Sequence, residues 1–398
     1  MHIMICSFPV YSHMISLLTT AKNLVLEGHT VLFCSDASFR EEVKKTGAAY
    51  SRYDFELHRD IEIDNNIDNA FFAFSVRILQ ATNEYMPRLL SEAQLFKPDC
   101  ILYDSFAYWG KVLYKKLCIP GICSVTNYPF NKECYEQDSS IFLRYILNWK
   151  KNIDEQSIDH HRMLLRGFSR HISRKYLDKL IFDIFELTSG SGDYNIVYSC
   201  SELHSNANLF DDSYHFVGPY LQDRIIKNKY VEAVYTDIYI ALGSMIKERY
   251  DLYNQFIDLF SCTKWKVILN IGTSDERRLN KASENIKIVK YADQLHLLSN
   301  CGVFITHGGF NSINEAIYFG VPVLVIPMYT DAFFSANEIH KRKIGVRIDL
   351  DDIPSALDLS LYCIEKEKIY KEQVNNYSAI WKNTDSKRKI FDIIYSVI

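Results

Sequence analysis

The feature that most constrains the fold of this chain is a repeated alternation of short apolar runs with longer helical stretches. The first half contains the runs "HIMICSF", "HTVLFCSD" and "DCILYDS", separated by stretches such as "MISLLTTAKNLVLEG" and "YWGKVLYKKLC". The second half repeats the scheme with "DIYIALGS", "WKVILNIG", "IKIVKY", "GVFITHGG" and "PVLVIPM". Near-continuous apolar runs are typical of parallel strands that helices cover on both faces. The sequence therefore predicts an α/β protein with two Rossmann-like, doubly wound parallel-sheet domains that face a central cleft.

Length and turn residues predict where these domains begin and end. A chain of 398 residues that is 48% hydrophobic is too long for one ordinary core. The segment "FVGPYLQDRIIKNKYVEAVYTD" has few core-forming periodicities and is interpreted as a linker. The last helix could pack back on the N-terminal domain or belong to the C-terminal one. The predicted boundaries are 1–217 for the N-terminal domain, 218–235 for the linker, 236–380 for the C-terminal domain and 381–398 for the final helix.

Composition and charge exclude several classes of protein. The net charge of −4 and the pI near 6.3 provide no basic field for nucleic acid. Ten cysteines without a C-x-x-C pair, several of them inside strand-like runs, favour reduced, packed thiols over disulfides or zinc. No basic and apolar leader opens the chain, and no run approaches the about 18 apolar residues of a membrane span. We therefore expect a cytoplasmic protein without a transmembrane segment, either a monomer or a homodimer.

The stretch "FITHGGFNSINEAIYFGVPVLVIPM" predicts a ligand site. It contains a buried strand, a glycine turn and a helix that stops at Gly320. Ligands of open α/β sheets bind beyond the carboxyl ends of the strands, near helix N-termini that can hold phosphate. Asn311 and Ser312 add donors at that point, and Glu315 could accept hydrogen bonds from ribose hydroxyls. The site would suit a nucleoside diphosphate, although such a turn also occurs for packing alone.

These residues resemble a known family. With the following "YTD", the stretch resembles the donor signature of the UDP-glycosyltransferases, glycosyltransferase family 1, especially the bacterial branch that glycosylates macrolides and other natural products. "SHMISLLTTAKNLVLEGHTVLFCSD", "KPDCILYDSFAYWGKVLYKKLCIPGI", "FVGP" and "IYIALGS" resemble further family segments in the expected order. Only about 55–95 and 130–190 have no matching pattern. The resemblance implies a GT-B fold, with a nucleotide sugar as co-substrate and no cofactor.

The resemblance also implies a catalytic pair. His13, in the loop after the first strand, matches the family's general base, which removes a proton from the acceptor hydroxyl. Asp104, at the end of a strand, matches the aspartate that hydrogen-bonds this histidine and fixes its tautomer. From the residues alone, Asp104 could equally be a helix N-cap or a strand-end carboxylate.

On the donor side the resemblance assigns a diphosphate site, a ribose contact and a base-stacking residue. Tyr291 stands where a tryptophan normally stacks on the base, and Asp293 replaces the proline of the same segment, so the choice between UDP and dTDP stays open. Glu315 is assigned to the ribose and Gln294 matches the glutamine of the same segment. The residues assigned to the phosphates are Ser244, His307, Gly308, Gly309, Asn311 and Ser312.

The segment "YTDAFFSA" departs from the family pattern. Asp331 is kept, but Ala332 replaces a glutamine and Ser335 an asparagine that usually address hydroxyls of the transferred sugar. Losing the amide at 332 removes two potential hydrogen bonds, each worth roughly 0.5–1.5 kcal/mol. We therefore expect a sugar other than plain glucose, either a deoxysugar with fewer hydroxyls or an N-acetylated sugar that needs room.

The function implied is inverting, metal-independent hexosyl transfer from a nucleotide sugar, with UDP as the expected nucleotide, to a small, largely hydrophobic acceptor of natural-product, macrolide or phenolic type. A nonhydrolysing sugar-nucleotide epimerase and a catalytically silent nucleotide-sugar-binding partner remain as alternatives. The basic stretch at about 150–180 could touch an anionic acceptor or a membrane, or form a solvated helix face.

Overall fold

A computed structural model of the chain forms two compact units. Unit 1 comprises Met1–Tyr198, Asn206–Val217 and Ser386–Ile398, and unit 2 comprises Ser199–Ser205 and Gly218–Asp385. Most of the predicted linker, and parts of the basic stretch at about 150–180, lie outside the described residues. The structure describes residues 1–54, 70–143, 155–177, 182–221, 223–224, 235–243, 246, 248–328 and 331–397.

Unit 1 contains a parallel sheet of seven strands in the order β3-β2-β1-β4-β5-β6-β7. Both β2 and β4 pair with β1, so the chain winds outward from β1 in one direction and from β4 in the other. The crevice between β1 and β4 is therefore the switch point at which doubly wound sheets bind ligands. The strands are β1 His2–Cys6, β2 Thr30–Ser35, β3 Ala49–Arg52, β4 Cys100–Asp104, β5 Gly121–Val125, β6 Tyr194–Val197 and β7 Tyr214–Phe216.

Unit 2 contains a parallel sheet of six strands in the order β10-β9-β8-β11-β12-β13, with its switch point between β8 and β11. Alternate side chains of β8 belong to different cores: Ile238 and Ile240 pack in one cluster, whereas Tyr239 and Ala241 pack in the other. Both faces are thus covered, which explains the unbroken apolar run. The strands are β8 Thr236–Ala241, β9 Val267–Asn270, β10 Ile286–Val289, β11 Cys301–Thr306, β12 Val323–Val325 and β13 Gly345–Arg347. The two sheets confirm the predicted α/β class.

Helices connect the strands, as the amphipathic stretches predict. In chain order, the described helices are α1 Tyr11–Leu26, α2 Arg40–Lys44, α3 Ala70–Phe96, α4 Tyr108–Leu117, α5 Lys132–Gln137, α6 Ser139–Ile141, α7 Glu155–Tyr176, α8 Phe185–Ser189, α9 Tyr250–Phe260, α10 Gln294–Leu298, α11 Phe310–Phe319, α12 Ala332–Lys341, α13 Ile353–Lys366, α14 Lys368–Asn383 and α15 Ser386–Ser396. The nine cysteines whose side chains the structure describes are free thiols.

The last two helices belong to different units. In unit 2, α14 packs on α11, where the Trp381 indole N–H donates to Asn314 Oδ1 at 3.0 Å. In unit 1, α15 contacts the end of α1, where Lys387 Nζ donates to Asn23 Oδ1 at 3.0 Å and the Tyr395 hydroxyl donates to Glu27 Oε2 at 2.5 Å. The final helix begins at Ser386, and residues 381–385 of the expected final segment belong to unit 2.

Candidate active site

In unit 1 a histidine and an aspartate meet at the switch point of the sheet. His13 lies in the first turn of α1, directly after the loop that follows β1, and Asp104 is the last residue of β4. His13 Nδ1 lies 2.9 Å from Asp104 Oδ2 and 3.0 Å from Oδ1. The His13 residue is 8% exposed and Asp104 is fully buried. The structure therefore brings together the two residues that the resemblance assigns to catalysis.

Three donors converge on the buried Asp104 carboxylate. Besides the His13 ring, the Phe106 backbone N–H donates to Oδ1 at 2.9 Å, and the Thr126 hydroxyl donates to Oδ2 at 3.2 Å. A buried carboxylate is stable only when its oxygens are well supplied with donors, because burial removes its hydration. With both oxygens occupied in this way, the carboxylate has a fixed orientation towards His13.

This arrangement fixes the His13 tautomer. A carboxylate only accepts hydrogen bonds, so the nitrogen that faces it, Nδ1, carries the ring proton. Nε2 then holds a lone pair that can accept a proton. The pair has the geometry that general-base catalysis by an imidazole requires.

Thr126 is a member of this centre that the sequence did not reveal. Its hydroxyl oxygen lies 2.8 Å from His13 Nδ1 as well as 3.2 Å from Asp104 Oδ2, and the residue is 4% exposed. Thr126 follows β5 directly, and β5 neighbours β4 in the sheet. The parallel order of the strands is thus the signal that could have indicated it.

Phenylalanine rings form an apolar wall beside His13. The Phe106 ring is tilted by 32° against the imidazole with centroids 4.6 Å apart, and the Phe8 ring meets it edge-on at 5.4 Å. Phe74, from α3, meets Phe106 at 5.1 Å and Phe8 at 5.7 Å. Phe74 and Phe106 are only half-buried, so part of the wall remains accessible.

In unit 2 the glycine turn leads from β11 into α11. Gly308 has φ +92°, which side chains rarely adopt, and Gly309 precedes the first helical residue. The backbone N–H groups of the first helical turn, which include those of Asn311 and Ser312, have no acceptor within the helix. Both residues are half-buried. The turn has the local geometry of an anion site at a helix N-terminus.

His307 is held between glycines. A Cβ on Gly243 would lie 2.4 Å from the His307 ring, and one on Gly309 would lie 2.7 Å from it. The two glycines therefore let the backbone approach the imidazole closely. Burial lowers the pKa of His307 to about 4, so the ring is neutral near pH 7. His307 can offer a hydrogen bond to a phosphate there, but no full charge.

The candidate ribose site forms a hydrogen-bonded network. Gln294 Nε2 donates to Glu315 Oε2 at 2.6 Å and to Ser312 Oγ at 3.2 Å. Arg224 Nη1 donates to the other carboxylate oxygen of Glu315 at 2.7 Å. Three of the predicted donor residues thus lie together, and Arg224, which falls within the predicted linker 218–235, joins them.

The missing proline beside Gln294 has a structural replacement. Asp293 has φ −72°, within the range that a proline ring imposes, and its side chain accepts the His296 N–H at 3.2 Å. The aspartate therefore begins α10 as an N-cap. Tyr291, the candidate base-stacking residue, is 86% exposed.

The candidate sugar contacts differ in accessibility. Asp331 is half-buried and precedes α12, whereas Ala332 is fully buried and Ser335 is 1% exposed. The Ser335 N–H donates to the Asp331 carbonyl oxygen at 3.1 Å, as expected at the start of a helix. The Ala332 carbonyl oxygen lies 3.1 Å from the position of a Cβ on Gly308. Ser244 lies outside the described residues.

The described residues contain neither a cluster of metal ligands nor a membrane-spanning helix. Within them, no group of three or more His, Cys, Asp or Glu side chains could hold a metal ion. No helix in the same ranges is long and apolar enough to cross a membrane.

Comparisons with known proteins agree with this architecture. The family described as "UDP-glucoronosyl and UDP-glucosyl transferase" matches residues 229–393. The uncharacterized UDP-glucosyltransferase YojK of Bacillus subtilis is 23% identical over 406 residues, covering 100% of this chain and 97% of that protein. The NDP-glycosyltransferase YjiC of the same organism is 26% identical over 386 residues, covering 94% of this chain and 92% of that protein. The crystal structure of the kitacinnamycin glycosyltransferase superposes with a TM-score of 0.82 at 22% identity, covering 100% of this chain and 98% of that one.

The two parallel sheets, of seven and six strands, match those of GT-B glycosyltransferases. Residues 229–393 match the UDP-glycosyltransferase family, and over most of its length the chain is similar to bacterial NDP-glycosyltransferases and natural-product glycosyltransferases. The resemblance stated from the sequence is confirmed.

Proposed function

We propose that this chain is an inverting glycosyltransferase that moves a sugar from a nucleoside diphosphate sugar to a hydroxyl of a small, largely hydrophobic acceptor. The observation that carries the proposal is the buried hydrogen-bonded pair of His13 and Asp104 at the switch point of unit 1. The names of the relatives YojK and YjiC, a UDP-glucosyltransferase and an NDP-glycosyltransferase, support the donor class.

In the proposed reaction His13 acts as the general base. Its Nε2 takes the proton of the acceptor hydroxyl as that oxygen attacks the anomeric carbon of the donor. The bond from that carbon to the diphosphate oxygen breaks in the same displacement, so an α-linked donor gives a β-linked product. Asp104 stabilises the imidazolium that forms, and Thr126 holds the Asp104 carboxylate in place.

The glycine turn of unit 2 is the proposed site of the leaving nucleoside diphosphate. Gly308, Gly309, Asn311 and Ser312 bring backbone and side-chain donors to the phosphates, and the dipole of α11 adds favourable potential for negative charge. We propose that these groups stabilise the departing diphosphate without a metal ion. The reaction is therefore expected to proceed in the presence of EDTA.

The donor's nucleoside and sugar are assigned to neighbouring residues. Tyr291 would stack on the base, since an exposed tyrosine offers the same kind of flat face as the tryptophan of the family pattern. Ser244 and His307 would contact the phosphates and Asp331 the sugar, whereas Ala332 is fully buried and would act on the sugar only through the amide group that it lacks. The alanine at position 332 favours a deoxysugar or an N-acetylated sugar over glucose. If UDP-glucose were clearly the best donor, this expectation would be contradicted.

The accessible part of the phenylalanine wall supports an apolar acceptor. Phe74 and Phe106 present half-buried ring surface next to the His13 imidazole. Aromatic rings contribute large apolar area and prefer offset or edge-to-face contact with other rings. An acceptor that carries its hydroxyl on a hydrophobic skeleton, phenolic or macrolide, would fit beside them.

Replacing Phe106 with leucine tests this acceptor contact. We expect kcat/KM for a phenolic acceptor to fall by roughly tenfold, because an aromatic contact worth about 0.5–1.5 kcal/mol is lost and the imidazole loses a packing partner. The Phe74 ring contacts Phe106 but has no ring contact with His13. We therefore expect Phe74→Leu mainly to raise KM for the acceptor. Initial rates over a range of acceptor concentrations measure both effects. Unchanged kinetics in both variants would contradict the assignment of the wall to the acceptor.

Replacing Thr126 with valine tests the third member of the catalytic centre. Valine has nearly the same shape but cannot donate to Asp104 Oδ2, so we expect kcat to fall by roughly 3- to 30-fold with little change in KM. Thr126→Ser keeps the hydroxyl and should recover most of the rate. Saturation kinetics with both substrates measure the effect. A valine variant with wild-type kcat would show that the hydroxyl has no role in positioning the pair.

The function itself is tested by release of nucleoside diphosphate. UDP-glucose, UDP-N-acetylglucosamine, UDP-galactose and dTDP-deoxysugars are offered with a mixed set of phenolic and macrolide acceptors, with and without EDTA. The proposal predicts acceptor-dependent release that disappears in His13→Ala. Donor binding without turnover would favour the silent binding partner. Interconversion of the donor sugar without release would favour the epimerase.

A further inference from the structure

The carboxylate of Glu315 is engaged on both oxygens before any ligand is considered. Oε1 accepts from Arg224 at 2.7 Å and Oε2 accepts from Gln294 at 2.6 Å, while the Glu315 side chain is 4% exposed. A charged group with so little access to water is stable only when an opposite charge compensates it. Gln294 is neutral, so Arg224 is the described residue that supplies this charge.

The two contacts leave a defined acceptor capacity. A carboxylate has about four lone-pair directions, two on each oxygen. Arg224 donates to one lone pair of Oε1, and Gln294 donates to one lone pair of Oε2. One lone pair therefore remains available on each oxygen. Two adjacent free acceptors suit two neighbouring hydroxyl groups, and the 2′ and 3′ hydroxyls of a ribose are such a pair.

Hydrogen bonds with the preceding residues anchor the backbone of Arg224. Its backbone N–H donates to the Leu221 carbonyl oxygen at 2.9 Å, and the Leu221 N–H donates to the Pro219 carbonyl oxygen at 3.0 Å. Leu221 and Tyr220 are each 4% exposed. The arginine therefore reaches Glu315 from an anchored segment of unit 2, and its contact with the carboxylate has a constrained direction.

We propose that Arg224 is a positioning residue of the donor site, which holds Glu315 so that its two free acceptor directions recognise the ribose diol and distinguish ribose from 2′-deoxyribose. The inference rests on the proposed function, because it takes the glycine turn and Glu315 as the nucleotide site. It adds a residue from the segment interpreted as a linker, and it predicts a preference for ribonucleoside diphosphates such as UDP over deoxyribonucleoside ones.

The experiment measures binding of UDP and 2′-deoxy-UDP by calorimetry to the wild type, Arg224→Gln and Arg224→Lys. We expect the wild type to favour UDP by roughly tenfold, since one hydrogen bond to a charged group is lost with the 2′ hydroxyl. In Arg224→Gln the preference should fall to about threefold or less, chiefly through weaker binding of UDP. Arg224→Lys keeps the positive charge but lacks the planar guanidinium group. Its preference for UDP should therefore lie between those of the wild type and Arg224→Gln.

Arg342→Gln is the matched control. Arg342 forms a partly buried ion pair with Glu338 within the same unit, so its loss should lower the thermal midpoint comparably without changing the ratio of the two affinities. Loss of the preference in both arginine variants would mean that destabilisation alone causes it, and would overturn the proposal. If Arg224→Gln does not fold, a wild-type preference for UDP in Arg224→Lys would overturn the proposal.

The remaining outcomes separate this inference from the proposed function. A wild type that binds UDP and 2′-deoxy-UDP equally overturns the positioning role and leaves the transferase intact. A preference for UDP that survives in Arg224→Gln also overturns the positioning role and leaves the transferase proposal intact. A wild type that binds neither nucleotide overturns both the positioning role and the donor site on which it rests.

Discussion

Replacing Asp104 with asparagine is expected to lower kcat by about 10²–10⁴-fold while leaving the fold intact. The Phe106 N–H donates to Oδ1 at 2.9 Å, so the amide oxygen of an asparagine takes that position and its NH₂ group faces His13 Nδ1. An NH₂ group only donates hydrogen bonds, so the ring proton moves to Nε2. The nitrogen that should accept the proton of the acceptor hydroxyl is then already protonated. Saturation kinetics measure the loss.

Asp193→Asn is the matched control for that substitution. Asp193 is another aspartate of unit 1 that accepts a backbone N–H, from Gly121 at 3.2 Å, but it lies outside the catalytic centre. Its replacement should leave kcat within about twofold of the wild type. The double variant with His13→Ala should be no slower than His13→Ala alone, because the two residues act as a unit. A folded Asp104→Asn enzyme that keeps more than about a tenth of the wild-type kcat would contradict the assignment.

Replacing Gly308 with alanine is expected to weaken binding of UDP by roughly tenfold or more and to lower the free energy of unfolding by about 1–3 kcal/mol. The backbone of Gly308 has φ +92°, and an added Cβ would lie 2.6 Å from Val325 Cγ1. The turn must move to relieve both the strain and the contact. The amides at the start of α11 then lose their alignment for the diphosphate. Calorimetry with UDP and denaturant unfolding measure the two effects.

Gly28→Ala separates strain from ligand binding. Gly28 has φ +85°, but a Cβ there would meet nothing within 4 Å, and the residue lies in unit 1. Its replacement should cost about 1–2 kcal/mol of stability and leave the affinity for UDP unchanged. If Gly308→Ala bound UDP as the wild type does, the glycine turn would not be the diphosphate site.

Much of the fold could be predicted because buried parallel strands leave a clear sequence pattern. The strand β11, Cys301–Thr306, lies within a run of apolar residues that ends in the glycine turn, and both features are visible locally. The short edge strands β3, Ala49–Arg52, and β7, Tyr214–Phe216, were not predicted. Of the residues in these two strands only Ser51 is buried, so the strands leave no apolar pattern in the sequence and depend on the hydrogen bonds that a neighbouring strand offers.

The candidate site was predictable only where a local motif carries it. His13 and Asp104 follow strands and match family segments, although 91 positions separate them. Thr126 has no distinctive sequence context, and its role depends on β5 lying next to β4. Arg224 lies in a segment without periodicity, and only the folded chain brings it to Glu315. Residues that act through partners far along the chain thus require the structure.

The measurement that tests the central claim most directly is the anomeric configuration of the product, determined by NMR after reaction of an α-linked nucleotide sugar with an accepted phenol or macrolide. Single displacement at the anomeric carbon, by a hydroxyl that His13 activates, predicts a β-glycoside that is formed by the wild type and not by His13→Ala. An α-glycoside, or a product formed equally well by His13→Ala, would contradict the account.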